Sequence, residues 1–230
     1  MTTCLWCQQP MIHVLDLKWF FSLKPIAPYL VCATCQKQVS KLSEVTCCSG
    51  CGQAASSTAL CKECQVWQEK YPHHFLSHQA LYQYNDFFKE WMKQYKFQGI
   101  FHLRMMFAED LRKQLKKYHH YTIVPIPISE ERLQERGYNQ VSALLDAAKM
   151  PYTPLLKKEV HSERQSSKSK KQRLETQQPF CVRQELVQQI EGQAILIVDD
   201  IYTTGSTLRH AYQCLDELGV KVIKTLTLAR

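Results

Sequence analysis

From about Ala80 onward, helix-period stripes of apolar residues alternate with short uninterrupted apolar runs. Asn85 is placed to cap a helix carrying Phe87, Phe88, Trp91 and Tyr95 on one face, a stripe that reads as core. Leu103, Phe107, Leu111 and Leu115 repeat the helical period. Thr122 to Ile128 predicts a buried strand whose exposed end is marked by Pro125 and Pro127. Leu144, Leu145 and Ala148 suggest another helix. Ala194 to Val198 is an apolar strand, and Leu208, Ala211, Tyr212 and Leu215 form a helical stripe that Gly219 can end. Val220 to Leu226 predicts a last strand. Strand, helix and strand in that order imply a parallel sheet with a right-handed crossover, so the expected class is α/β.

The region before this pattern has a different texture. Nine of the eleven cysteines lie within residues 1–64, and eight of them form four Cys-x-x-Cys pairs. These are Cys4/Cys7, Cys32/Cys35, Cys48/Cys51 and Cys61/Cys64. No export signal precedes them, so they read as zinc ligands, not as a disulfide framework. Each turn offers two thiolates, and two turns close a tetrahedral structural site with no open position. The short gap between Cys48/Cys51 and Cys61/Cys64, with Gly50 and Gly52 around the first turn, is zinc-ribbon spacing. Cys4/Cys7 with Cys32/Cys35 would hold a second ion; interleaved pairing is the alternative. Cys47 could stand in for Cys48 at a less suitable spacing. Nothing nearby has the strand–turn–helix setting of a thioredoxin redox pair. The expected organisation is a cysteine-rich zinc-binding module over 1–78 and an α/β domain over 79–230.

Composition changes the picture little. With 45% apolar and 22% charged residues the chain is globular, and no apolar run is long enough to span a membrane. The formal charge is 29 − 21 = +8. Eight thiolates with two Zn²⁺ contribute −4 and reduce it to +4. Much of the excess sits in 157–173, where Lys157, Lys158, Arg164, Lys168, Lys170, Lys171 and Arg173 face Glu159 and Glu163. The serines among them dilute any apolar face, so a mobile basic loop is expected.

The most informative stretch runs from Ile197 to Thr207. Asp199 and Asp200 leave the carboxyl end of a buried strand, where ligands bind in open α/β sheets. Thr203, Thr204, Gly205, Ser206 and Thr207 come next. Gly205 lets the backbone curl round an anion, while helix-start N–H groups and hydroxyls point at it. The pattern suits a phosphate attached to a group with vicinal hydroxyls, and it lacks the Gly-x-x-x-x-Gly-Lys of a P-loop.

This stretch resembles the phosphoribosyl-pyrophosphate (PRPP) motif of type I phosphoribosyltransferases. The resemblance implies that Asp199 and Asp200 bind the ribose hydroxyls and Thr203 to Thr207 the 5′-phosphate. The pyrophosphate, with Mg²⁺, would lie near the loop after Pro127. Val124-Pro-Ile-Pro127, Arg132 and Arg136-Gly-Tyr-Asn-Gln140 resemble the signature of the ComF family. So do Gln165 to Glu175 and Phe180. That family sets a small zinc-ribbon module before a parallel-sheet type I phosphoribosyltransferase-like domain. It implies a cytoplasmic competence protein handling incoming single-stranded DNA during natural transformation, with a ComFA-type ATPase as partner.

Two functions remain open from sequence. One is an assembly protein whose fold supplies an anion site, with Arg132 and Arg136 near pyrophosphate and Lys168, Lys170, Lys171 and Arg173 on DNA. The other is an active transferase, for which those basic groups would neutralise departing pyrophosphate. The chain shows no base-binding hood after the last strand, which favours the first.

Overall fold

The computed structural model describes residues 2–11, 30–70, 76–158 and 178–230. The basic stretch carrying Lys168, Lys170, Lys171 and Arg173 lies outside the described residues. Strands are β1 (Thr2–Thr3), β2 (Pro10–Met11), β3 (His78–Tyr82), β4 (Tyr121–Pro125), β5 (Leu156–Lys158), β6 (Phe180–Val182), β7 (Ala194–Ile201) and β8 (Val222–Ala229). Helices are α1 (Ala33–Gln36), α2 (Lys62–Lys70), α3 (Asp86–Phe97), α4 (Ala108–Leu115), α5 (Glu130–Arg136), α6 (Gln140–Ala147) and α7 (Ser206–Asp216). Among the described residues no helix is long and apolar enough to cross a membrane.

A four-stranded sheet, β3-β8-β7-β4, is parallel throughout. The two central strands are covered on both faces, which is why their apolar runs are nearly continuous. Side chains alternate along β7. Ile195 and Ile197 join Val124, Leu208, Ala211 and Leu215 in one layer. Leu196 and Val198 enter the opposite layer with Trp91, Tyr95, Phe107 and Leu226. That second layer holds the aromatic stripe of α3, where Phe88 stacks on Phe107 at 4.9 Å and Trp91 meets Tyr95 at 4.9 Å.

Local signals explain most element boundaries. The Asn85 carboxamide accepts the Phe88 N–H at 3.1 Å and caps α3 as expected. Ser129 caps α5, which Gly137 ends in the left-handed region at φ +79°. Asn139 caps α6. Five boundaries differ from the sequence pattern. Strand β7 continues past Val198 to Ile201 and so contains Asp199 and Asp200. The segment containing Leu103 and Phe107 is a 3-10 helix (Phe101–Phe107) that runs into α4. Strand β4 stops at Pro125, although the Ile126 N–H still reaches Val198 O at 2.9 Å. Helix α7 closes with Glu217 as its cap, before Gly219. Strand β8 runs over Val222–Ala229 and not 220–226, because its register pairs Ile201 with Ala229.

Candidate sugar-phosphate site and four-cysteine clusters

Strand β7 delivers Asp199 and Asp200 to its carboxyl end, and both are buried. Burial, and then the neighbouring Asp200 charge, pushes Asp199 up to about 8. Asp199 therefore holds its proton more tightly than an ordinary carboxyl group. Its Oδ1 accepts the Asp200 N–H at 2.8 Å. Asp200 forms an ion pair with Lys96 Nζ at 2.8 Å, and the two side chains are 5% and 21% exposed. The last turn of α3 supplies this lysine, so the aromatic stripe that fills the core also aims a cation at the acids. Sequence pattern alone did not single out Lys96. Its signal was a basic residue directly after Tyr95, one step off the apolar stripe.

The loop Tyr202–Gly205 then turns into α7. Gly205 has φ +76°, and a Cβ there would collide with the Tyr202 hydroxyl, so only glycine fits. Gly205 has no side chain to cap α7, and the Thr204 hydroxyl accepts the first helical N–H, from Ser206, at 3.4 Å. Thr203, Thr204 and Thr207 are exposed and Ser206 is half-buried, so their hydroxyls are accessible.

A cavity of about 390 Å³ is lined by Lys96, Phe97, Arg132, Glu135, Arg136 and Gln140. Arg132 and Arg136 are thus brought to the same hollow as the lysine that holds Asp200. Arg136 donates to Gln140 Oε1 at 2.5 Å, which orients its guanidinium. Phe97 forms one wall, is 78% exposed, and has the Arg136 guanidinium 5.8 Å from its ring. The hollow presents three cations, the Glu135 side chain and an apolar face around a space of ligand size, with the acid pair connected to it through Lys96.

The eight paired cysteines form two separate clusters. Cys4, Cys7, Cys32 and Cys35 make one, and Cys48, Cys51, Cys61 and Cys64 the other, the ligand atoms of each lying within 4.8 Å of one another. The interleaved arrangement does not form. The units are near copies. In the first, Cys4 N–H reaches Gln9 O at 2.9 Å and Gln8 N–H reaches Cys4 O at 3.0 Å. In the second, Cys48 N–H reaches Gln53 O at 2.8 Å and Gly52 N–H reaches Cys48 O at 3.0 Å. Gln8 and Gly52 both take positive φ, 59° and 69°. Cys32 N–H donates to Cys4 Sγ at 3.3 Å, and Cys61 N–H to Cys48 Sγ at 3.2 Å. The Gln36 and Gln65 amides donate to Val31 O and Leu60 O. The sequence carried this repeat as Cys-x-x-Cys-x-Gln followed by Cys-x-x-Cys-Gln, a pattern that counting cysteines alone passes over.

The thiol electrostatics fit a cation. Burial would raise Cys4 and Cys48, but backbone N–H donors outweigh it and bring each to about 6. Burial, reinforced by cluster neighbours, pushes Cys35 and Cys64 up. Four close sulfurs cannot all ionise without a positive charge between them, and a Zn²⁺ ion would supply it and hold the two turns together.

Comparisons with known proteins agree with this architecture. Residues 133–230 match the family model described as phosphoribosyl transferase domain. The competence protein ComFC of Streptococcus pneumoniae is 37% identical over 227 residues, covering 99% of each chain. ComFC of Bacillus subtilis is 34% identical over 99% of this chain and 94% of its own. Competence protein F of Haemophilus influenzae is 26% identical over 89% of this chain and 92% of its own. Among solved structures, a hypoxanthine phosphoribosyltransferase from Staphylococcus aureus aligns at 19% identity and a TM-score of 0.33, covering 54% of this chain and 61% of that one. The near full-length identity to the two ComFC proteins, over both the clusters and the sheet, decides the matter: the chain belongs to the ComF family of competence proteins.

Proposed function

We propose that this protein acts in cytoplasmic handling of incoming single-stranded DNA during natural transformation, through a PRPP-type site and a structural zinc module. The observation that carries the reading is the Asp199–Asp200 pair at the mouth of a buried parallel strand, beside the glycine-led helix start of α7 and the Lys96–Arg132–Arg136 hollow. Asp199 and Asp200 take the ribose hydroxyls; Asp199, protonated, can donate as well as accept. Thr203, Thr204, Gly205, Ser206 and Thr207 hold the 5′-phosphate. Arg132 and Arg136 face the pyrophosphate, whose charge Mg²⁺ would also neutralise. Two zinc ions, one per cluster, fix the module over 1–78 against the phosphoribosyltransferase-like domain over 79–230. A ComFA-type ATPase is the expected partner, in keeping with the ComFC relatives.

Calorimetry with PRPP and Mg²⁺ tests the site. Asp199→Ala and Asp200→Ala should each abolish the binding heat while the far-ultraviolet circular dichroism stays unchanged; equal binding by variant and parent would refute the assignment. For DNA, Lys168→Ala, Lys170→Ala, Lys171→Ala and Arg173→Ala combined should weaken oligonucleotide binding. The slope of log K against log salt should flatten by about 3, four phosphate contacts on a single strand. An unchanged slope would remove these four residues from the DNA surface.

The alternative is an active phosphoribosyltransferase, and Phe97 is the observation in its favour. An exposed ring in the wall of the cavity offers a stacking face for an aromatic acceptor. Pyrophosphate release from PRPP in the presence of nucleobases, lost in Phe97→Ala, would support it. No release with any base leaves the binding role.

A further inference from the structure

Arg230 follows β8, and its side chain is 11% exposed. Its backbone is fixed on both sides, with N–H to Tyr82 O at 2.9 Å and C=O accepting Tyr84 N–H at 2.7 Å. The guanidinium spans two sites. Nη1 donates to the Thr203 carbonyl and lies 3.5 Å from Tyr202 O, both in the turn that comes after the acid pair. Nη2 faces the second cluster, with Cys51 Sγ at 3.7 Å, Gln53 Oε1 at 3.2 Å and Glu63 Oε2 at 3.4 Å. The guanidinium carbon sits 4.5 Å from the Tyr202 ring centre. A planar fork can serve both sides at once, whereas a lysine point charge cannot. The cluster turn is tied in separately by His78 N–H to Gly50 O at 3.2 Å.

We infer that Arg230 is a positioning residue that couples metal occupancy of the Cys48/Cys51/Cys61/Cys64 cluster to the shape of the Tyr202–Gly205 turn. The inference rests on the reading of that turn as a sugar-phosphate site only for the ligand half of its test. A zinc-bound Cys51 holds its sulfur in one place, the guanidinium is held against it, and the carbonyls of Tyr202 and Thr203 are held in turn. The turn's N–H groups then stay aimed at the phosphate position. Such coupling is reciprocal: a ligand that orders the turn must also order the second cluster. The first cluster leads elsewhere, through Trp6 to Phe87 at 4.8 Å, and serves as an internal control.

Hydrogen–deuterium exchange on the zinc-loaded full chain reads each half locally. Arg230→Ala should speed amide exchange at 203–206 about tenfold, the loss of a charge-assisted hydrogen bond, with 194–198 unchanged. Stripping zinc with a chelator should accelerate 203–206 in the parent, while the variant, already fast there, changes little. Adding PRPP with Mg²⁺ should protect 203–206 and 48–53 in the parent but not 4–9, and in Arg230→Ala the protection of 48–53 should vanish. Exchange at 203–206 identical in parent and variant overturns the inference, as does ligand protection of the turn without protection of 48–53. Absence of any protection by PRPP overturns the sugar-phosphate reading instead, and the zinc-loaded comparison of parent and variant then decides the role of Arg230 alone.

Discussion

The two four-cysteine units share their turns, their N–H to sulfur bonds and their glutamine braces, yet they meet the rest of the molecule differently. The first presents Trp6 to Phe87, at the edge of the aromatic layer. The equivalent position of the second is Gly50, where a Cβ would lie 2.8 Å from Cys64 Sγ. The absent side chain leaves room for Cys64 and Leu60 of its own cluster, and the turn meets β3 through its backbone, with Gly50 O accepting the His78 N–H and Gly52 packed against His78 and Ala80. It covers the outer edge of the sheet, which would otherwise expose unpaired backbone groups. Two matching four-cysteine units thus dock in two ways: one is clamped through an aromatic side chain, the other through its backbone and Arg230. The residue carried between the two cysteines of a turn decides how that turn docks.

Removing one metal at a time is the harshest test of this contrast. Cys61→Ser should leave about one zinc per chain and destroy PRPP binding, because Arg230 then loses the fixed Cys51 sulfur against which it holds the Tyr202–Gly205 turn. Cys32→Ser should also leave about one zinc, with PRPP affinity within a few-fold of the parent. Metal analysis paired with calorimetry checks both, and equal loss of affinity would erase the distinction. Next in size is Gly50→Ala, which forces a methyl against Cys64 Sγ and Leu60. It should cost about 1–3 kcal/mol and weaken zinc retention in the second cluster alone, measured by chelator competition. Trp6→Ala should cost about 1 kcal/mol in chemical denaturation, the scale of one aromatic pair, with both metals retained. Retention of full stability would mean that Trp6 does not clamp its unit.

The smallest effect is set by pH. Asp199 is raised in the folded state, so its contribution is complete below about pH 4, its unfolded value, and is lost as pH rises through about 8. Between pH 7 and pH 9 the parent should lose about 1 kcal/mol on this account. Asp199→Asn should flatten that part of the melting profile. A parent profile already flat from pH 7 to pH 9 would show that Asp199 ionises normally.

Much of this was legible in the residues. Continuous apolar runs gave the buried strands, Asn85 gave a cap, and the acid pair before Thr203–Thr207 gave the turn, because each depends on neighbours close in sequence. Pairing of cysteines 25 and 10 positions apart was legible as one option and became definite only in three dimensions. Lys96 and Arg230 were not legible at all. Each acts across a long sequence gap, on Asp200 and on Cys51, and a lone basic residue at a helix or strand end has no periodicity to betray it. His78 is similar. Its ring nitrogens lie 2.9 Å from Thr225 Oγ1 and 3.1 Å from Thr227 Oγ1, so two threonines of an apolar strand are explained by a histidine far away in the chain. Burial, and then the charge of Arg230, pushes that histidine down to about 3, so it stays neutral in its slot.

The Lys96–Asp200 ion pair sets the terms on which any guest enters. The carboxylate of Asp200 is already neutralised from within, so a sugar hydroxyl bound as proposed would share it with an ammonium. A visitor escorted by its own divalent ion offers a replacement positive charge at that moment; a bare one does not. On the proposed reading, the ion pair would therefore favour the escorted visitor before any complementary shape has been felt.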